Sequence, residues 1–220
     1  MNDYVISCCS TADLLEQRFI NRNISYICSH YEMDGRQYMD DLGKSMPFDQ
    51  FYKAMQDGAE TKTFQINADE FCNYFEPFLK EGKDILHATL SSGISGTLNS
   101  AMLAKDMMEE KYPERKVYIV DSLNASAGYG MLMDKLADLR DEGMSIDDLY
   151  RWTEAHKLEA QAWFFSTDLT FYIKGGRVSK TSGFVGGMLG ICPLLNVNSE
   201  GKLIPRSKVR GKNKVIRTIV

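Results

Sequence analysis

The chain has 220 residues, 44% of them apolar and 25% charged, with a formal net charge of −4. That is globular composition: it argues against disorder, and an acidic balance argues against non-specific nucleic-acid binding by the whole molecule. No apolar run approaches the ~20 residues of a membrane-spanning helix, and MNDYVIS lacks both the basic start and the long apolar stretch of a secretory signal. The cysteines Cys8, Cys9, Cys28, Cys72 and Cys192 are odd in number and contain no C-x-x-C pair. Reduced thiols in a cytoplasmic protein are expected, with no disulfide framework and no metal site.

Four short apolar runs read as strands: Tyr4 to Cys8, Ile24 to Cys28, Ile85 to Leu90 and Val117 to Val120. They are continuous rather than alternating, as in a parallel sheet covered on both faces. Helices fall between and after them. Asn67-x-x-Glu70 reads as a capping box opening a helix with Phe71, Tyr74, Phe75 and Phe78, which Pro77 is expected to kink or shorten. Thr97 to Tyr112 is helical and stops at Pro113, Gly128 to Arg140 is a third helix, and Ser145-x-x-Asp148 caps a fourth with Ile146, Leu149, Trp152 and His156 on one face. Beyond these, Ala162 to Ser166 is strand-like and Phe184 to Ile191 is apolar and glycine-rich. Leu194 to Val197 and Lys202 to Val209 flank the turn Asn198-Ser199-Glu200-Gly201, a hairpin pattern. The expected fold is therefore α/β. Residues 1–158 form an N-terminal domain on a parallel sheet, and residues 159–220 begin a second α/β domain with antiparallel strands.

Chemistry concentrates in Ser91-Ser92-Gly93-Ile94-Ser95-Gly96-Thr97, which follows a strand and opens a helix. Glycines permit close backbone approach, the hydroxyls supply donors, and a helix N-terminus favours an anion such as phosphate or carboxylate. A tight turn with a serine cap and nothing bound fits the same residues. Thr61 to Gln65 reads as a polar loop. Asp121-Ser122 stands at the strand edge where α/β sheets place ligands, and is equally a helix cap. Lys174-Gly175-Gly176-Arg177 is a turn or an anion contact. Gly183, Gly186, Gly187 and Gly190 form one bare face if helical, suited to close packing or to an acyl chain. Arg206, Lys208, Arg210, Lys212 and Lys214 alternate, and on a strand would share a basic stripe. That stripe is a solvated edge or a docking surface. Gly-x-Ser-x-Gly is missing, no Ser or Cys pairs with a histidine in a hydrolase pattern, and His156 reads as a packed residue rather than a catalytic one.

Together these segments resemble the DegV family, which includes the fatty-acid-binding subunits of bacterial fatty acid kinase. The family's opening signature is matched by Cys9-Ser10-Thr11-Ala12-Asp13-Leu14, and its Thr-Ser-Gln-Pro segment by Thr63-Phe64-Gln65-Ile66. Its Ser-Gly loop is matched by Ser91 to Thr97, and its Asp-Ser by Asp121-Ser122. Its Gly-Gly-Arg is matched by Gly175 to Arg177, and its Lys-Val-Arg hairpin by Gly201 to Arg210. The resemblance implies a lipid-binding protein, not an enzyme. It holds a long-chain fatty acid in a tunnel between the domains and presents the carboxyl group to a partner kinase for acyl phosphate formation. It implies that Thr63 and Ser95 bind the carboxylate, that Ser92, Gly93, Gly96 and Thr97 support the loop, and that Arg177 and Arg210 face the kinase or the acyl phosphate. Neither a catalytic residue nor a cofactor other than the bound lipid is implied. Cys9, Phe64 and Ile66 depart from the family pattern. The pattern also runs on past the position of Val220, where it carries a histidine for the carboxylate, so the second domain is expected to be incomplete here. A transferase or hydrolase using the Ser-Gly loop, and a lipid-sensing regulatory module, are the alternatives.

Overall fold

The structure is a computed structural model and describes residues 4–179 and 190–219. In chain order the elements are β1 (Tyr4–Cys9), α1 (Glu16–Asn21), β2 (Ile24–Ile27), β3 (His30–Met33), β4 (Arg36–Met39), α2 (Phe48–Gln56), β5 (Thr61–Phe64), α3 (Ala68–Lys80), β6 (Asp84–Thr89), α4 (Thr97–Lys111), β7 (Val117–Asp121), α5 (Ser126–Asp141), α6 (Ile146–His156), β8 (Trp163–Phe165), α7 (Thr170–Lys174), β9 (Ile191–Val197), β10 (Leu203–Arg210) and α8 (Lys212–Ile219).

Among the described residues β2-β1-β6-β7 form a parallel sheet, and its two faces bury separate cores. Ile6, Cys8, Leu86, Ala88 and Val120 point to one face, against Tyr129, Met133 and Leu136 of α5 and Ile146 and Leu149 of α6. Cys9, Ile85, Val117 and Ile119 point to the other, against Phe71, Phe75 and Leu79 of α3 and Ala101, Ala104 and Met108 of α4. Neighbouring strand residues thus enter opposite cores, which explains why these strands read as unbroken apolar runs. The capping box at α3 is present in both directions: Glu70 N–H donates to Asn67 Oδ1 (2.9 Å) and Asn67 N–H to Glu70 Oε2 (2.8 Å). Ser145 Oγ caps α6 by accepting the Asp148 N–H at 3.2 Å. Pro77 does not cut α3 short, because the helix runs on to Lys80. His156 stacks on Trp152, ring centroids 4.5 Å apart, in agreement with a packing role.

Two antiparallel sheets accompany the parallel one among the described residues. β9 pairs with β8 and β10, and the β9–β10 hairpin turns at Asn198–Gly201. The basic stripe stops with the strand at Arg210. Lys212 and Lys214 belong to α8, and Arg206 falls where the ladder shifts register between Pro205 and Ser207, so alternation does not carry all five cations along one strand face. The other sheet, in the order β4-β3-β5, was not anticipated. Its hairpin turns on Asp34 and Gly35, both at positive φ (50° and 79°), the geometry of a two-residue turn between right-twisted strands. Thr61–Phe64, expected as a loop, is β5, pairing Thr63 with Tyr31. Of the glycine-rich stretch, Gly183, Gly186 and Gly187 lie outside the described residues. No helix among the described residues is long and apolar enough to cross a membrane.

Candidate functional site

The Ser-Gly loop leaves the C-terminal end of β6 and enters α4, and most of its amides are spent inside the protein. Ser92 N–H donates to Asp121 Oδ1 (3.1 Å) and Gly93 N–H to Ser91 Oγ (3.1 Å). The N–H groups of Ile94 and Ser95 both donate to Ser91 O (3.0 Å), and Thr97 N–H donates to Ser95 Oγ (3.3 Å). What the loop offers outward is therefore hydroxyl groups. Ser95 Oγ lies 2.8 Å from Thr97 Oγ1, Thr97 is buried and Ser95 half-buried. One hydroxyl of such a pair donates to the other. With the Thr97 proton directed at Ser95, the Ser95 proton is released for an acceptor outside the loop. A carboxylate, which only accepts when ionised, complements that donor and the positive end of the 15-residue helix α4.

The glycines of the loop are there for close packing. A Cβ on Gly93 would meet Glu200 O at 2.6 Å and Gly201 O at 2.7 Å, so the loop sits directly against the turn of the β9–β10 hairpin. Ser91 Oγ donates to Gly201 O (2.8 Å) and fixes that contact. Thr63 is exposed on β5, two residues before Gln65, whose side chain lies on Gly96. At ~3.3 Å per residue the backbones of Thr63 and Gln65 are about 7 Å apart along the chain. Arg177 reaches the same loop: its Nε–H donates to Ile94 O (3.3 Å), and its guanidinium also bonds Gly175 O. Arg210 is exposed at the far end of β10, opposite Ile191 and about 23 Å along the strand from Leu203. Gln65 and Arg177 thus touch the loop that carries Ser92, Gly93, Ser95, Gly96 and Thr97, Thr63 stands two residues before Gln65 on β5, and Arg210 lies at the far end of β10.

A cavity of about 400 Å³ lies between the first turns of α5 and the sheet of β8, β9 and β10. Its walls include Met131, Trp163, Phe164, Phe165, Tyr172 and Leu203, and neither Thr63 nor Ser95 lines it. Among the described residues no group of His, Cys, Asp and Glu is arranged to hold a metal ion.

A model of the DegV family, described as an uncharacterised protein family, matches residues 6–220. This chain belongs to the DegV family. A DegV domain-containing protein of Clostridium perfringens is 33% identical over 219 residues, which is 100% of this chain and 75% of that protein. A DegV lipid binding protein of Thermotoga maritima superposes with a TM-score of 0.86 at 30% identity, covering 98% of this chain and 74% of that one. The Streptococcus pneumoniae fatty acid kinase (Fak) B3 protein, loaded with linoleic acid, gives a TM-score of 0.81 at 27% identity, covering 100% of this chain and 76% of that one.

One further cluster escaped the sequence reading. Cys9, at the position where the DegV signature opens with an acid, lies with its Sγ 3.8 Å from His87 Nε2. His87 Nδ1 is 2.8 Å from Ser7 Oγ, which is 2.8 Å from the Tyr74 hydroxyl. The residues resemble a thiol–imidazole pair, but both are sealed: Cys9 is 1% exposed, and His87 is 0% exposed under the edges of Phe71 and Phe75. Burial pushes the His87 imidazole down to about 3 and the Cys9 thiol up to about 12. Both stay neutral at physiological pH and unreachable by substrate, so this DegV chain uses them as core polar residues. The pairing joins positions 78 apart in sequence, and no local spacing announces it.

Proposed function

We propose that this chain binds one long-chain fatty acid and presents its carboxyl group to a partner kinase for acyl phosphate formation, acting as a binding subunit rather than an enzyme. Residues 1–158 supply the carboxylate site, with Thr63 and Ser95 as donors, Ser92, Gly93, Gly96 and Thr97 shaping the loop and the paired Ser95–Thr97 hydroxyls directing a proton outward. Residues 159–220 help cover the acyl chain, which runs into the aromatic-walled cavity between α5 and the sheet of β8, β9 and β10. Arg177 and Arg210 serve the acyl phosphate and the kinase surface, arginine being the side chain whose fork matches phosphate oxygens.

The observation that carries this reading is the Ser95–Thr97 hydroxyl pair at the head of α4, in a DegV chain whose α5 and β8–β10 enclose an apolar-walled cavity. The lipid-binding and linoleate-loaded relatives support it. Burying about 14 methylenes at ~0.8 kcal/mol each is worth on the order of 11 kcal/mol before association costs, so the acyl chain supplies affinity and the hydroxyls orientation. The experiment is mass spectrometry of an organic extract of the purified protein, with thermal melting after addition of oleic acid. A fatty acid in the extract and a raised Tm are expected. An extract without fatty acid, together with a Tm that oleate does not move, refutes the reading.

A further inference from the structure

The Thr63 segment and the Ser-Gly loop meet at one point. Gln65 follows β5 directly, and its amide lies across Gly96, the residue before α4. A Cβ on Gly96 would stand 2.3 Å from Gln65 Oε1 and 3.3 Å from its Cδ. Gly96 itself has φ −79° and ψ 4°, a conformation open to any L residue, so a methyl there would act by pushing aside the end of the exposed Gln65 side chain. Gln65 Nε2 donates to Ser100 Oγ at 3.4 Å. The amide therefore spans the first turn of α4, immediately beside Ser95. Gln65 is exposed, and the next residue, Ile66, already anchors the chain in the core at 0% exposure. β5 is the edge of its sheet, paired with β3. The amide is thus placed to fix how the end of β5 stands relative to α4, while Ile66 carries the burial.

We propose that Gln65 is a positioning residue: it clamps the end of β5 onto the first turn of α4 and so sets the spacing between the Thr63 hydroxyl and the Ser95–Thr97 pair. The inference rests on the reading of Thr63 and Ser95 as carboxyl donors. A carboxylate held by two hydroxyls from separate elements needs both at hydrogen-bond distance together, and the clamp is a polar side-chain contact between those elements beside the site, next to the buried packing of Ile66 with Ala101 and Ala104.

The test loads the full chain with [1-13C]oleic acid. It records the carboxyl 13C shift and its pH midpoint in the wild type, Thr63→Ala, Gln65→Ala, Gly96→Ala and the Gln65→Ala/Gly96→Ala double variant, with oleate content measured by mass spectrometry. Gln65→Ala keeps oleate within about threefold of wild type, since the acyl chain dominates affinity, while its carboxyl signal moves at least half of the way to that of Thr63→Ala. The midpoint rises, because lost donors no longer favour the charged form. Gly96→Ala does the same by displacing the amide, and the double variant matches Gln65→Ala alone, because the methyl then enters vacated space. A Gln65→Ala signal at the wild-type position, or a double variant equal to the sum of the two single effects, overturns the clamp. A wild type that takes up no oleate, or a Thr63→Ala signal that does not move, sinks the carboxyl-site reading and the clamp with it.

Discussion

His87 gives this chain an acid sensitivity whose size follows from its burial. The imidazole is 0% exposed and held down to about 3, whereas in an unfolded chain a histidine titrates near 6.5. Protonation therefore favours the unfolded chain. The contribution of neutral His87 is complete above pH ~6.5 and is lost as pH falls toward 3. At ~1.36 kcal/mol per pH unit, the loss at pH 5 is about 2 kcal/mol, and it levels off near 5 kcal/mol below pH ~3. His87→Phe removes the titration and keeps a ring against Phe71 and Phe75, while Ser7 retains the Tyr74 hydroxyl as partner. Urea unfolding of both proteins at pH 7 and pH 5 isolates the effect, since every other titrating group is shared. The wild type should lose about 2 kcal/mol more than the variant over that interval. Equal losses, or a His87 ring signal titrating between pH 5 and 7 in the folded protein, would refute the reasoning.

Thr63→Ala and Ser95→Ala should leave fatty-acid affinity within roughly tenfold of wild type and slow kinase-dependent acyl phosphate formation more strongly, as measured by fluorescent-lipid displacement and single-turnover phosphorylation. Arg210→Ala should keep bound lipid and slow phosphorylation at least ~tenfold at low salt, with the deficit shrinking as salt is raised and screens the wild-type attraction, because the residue is exposed and apart from the loop. Arg177→Ala should also lower the rate but with a weaker salt dependence, since its Nε–H holds Ile94 O beside Ser95; identical salt profiles for the two variants would contradict that division. Gly93→Ala drives a methyl into the Glu200–Gly201 backbone, which has no side-chain freedom to yield, and should cost about 1–3 kcal/mol in urea unfolding.

The parallel sheet was legible because each of its strands enters two cores, leaving runs such as Ile85 to Ala88 with no solvent-facing break. β3, β4 and β5 were missed because they carry exposed residues such as Arg36, Gln37 and Lys62 and bury little, although Asp34-Gly35 was a readable hairpin signal. α2 has no fully buried residue; Phe51 instead meets the edge of Tyr31, a contact that periodicity does not reveal. At the site, the hydroxyls and glycines of the loop stood out as a motif, but their use did not. The reason Gly93 is small lies in the Glu200–Gly201 backbone, the amide that lies on Gly96 comes from Gln65, and the reason few amides are left over lies in Asp121 and in Ser91 itself. Such partners arrive by tertiary folding and leave no mark in the local pattern.

The contact between Ser91 Oγ and Gly201 O has a consequence for the timing of synthesis. The two residues are separated by 110 positions. At roughly 5–20 residues per second, a ribosome that has just made Ser91 needs about 6 to 22 seconds more to make Gly201. During that interval the parallel-sheet half can form with its Ser-Gly loop unbraced on the hairpin side. The brace on the Ser91 end of the loop therefore arises late in translation, after the loop's own bonds that hold Ser95, and a nascent chain exposes an apolar-walled cavity only once β8 to β10 have emerged to build it.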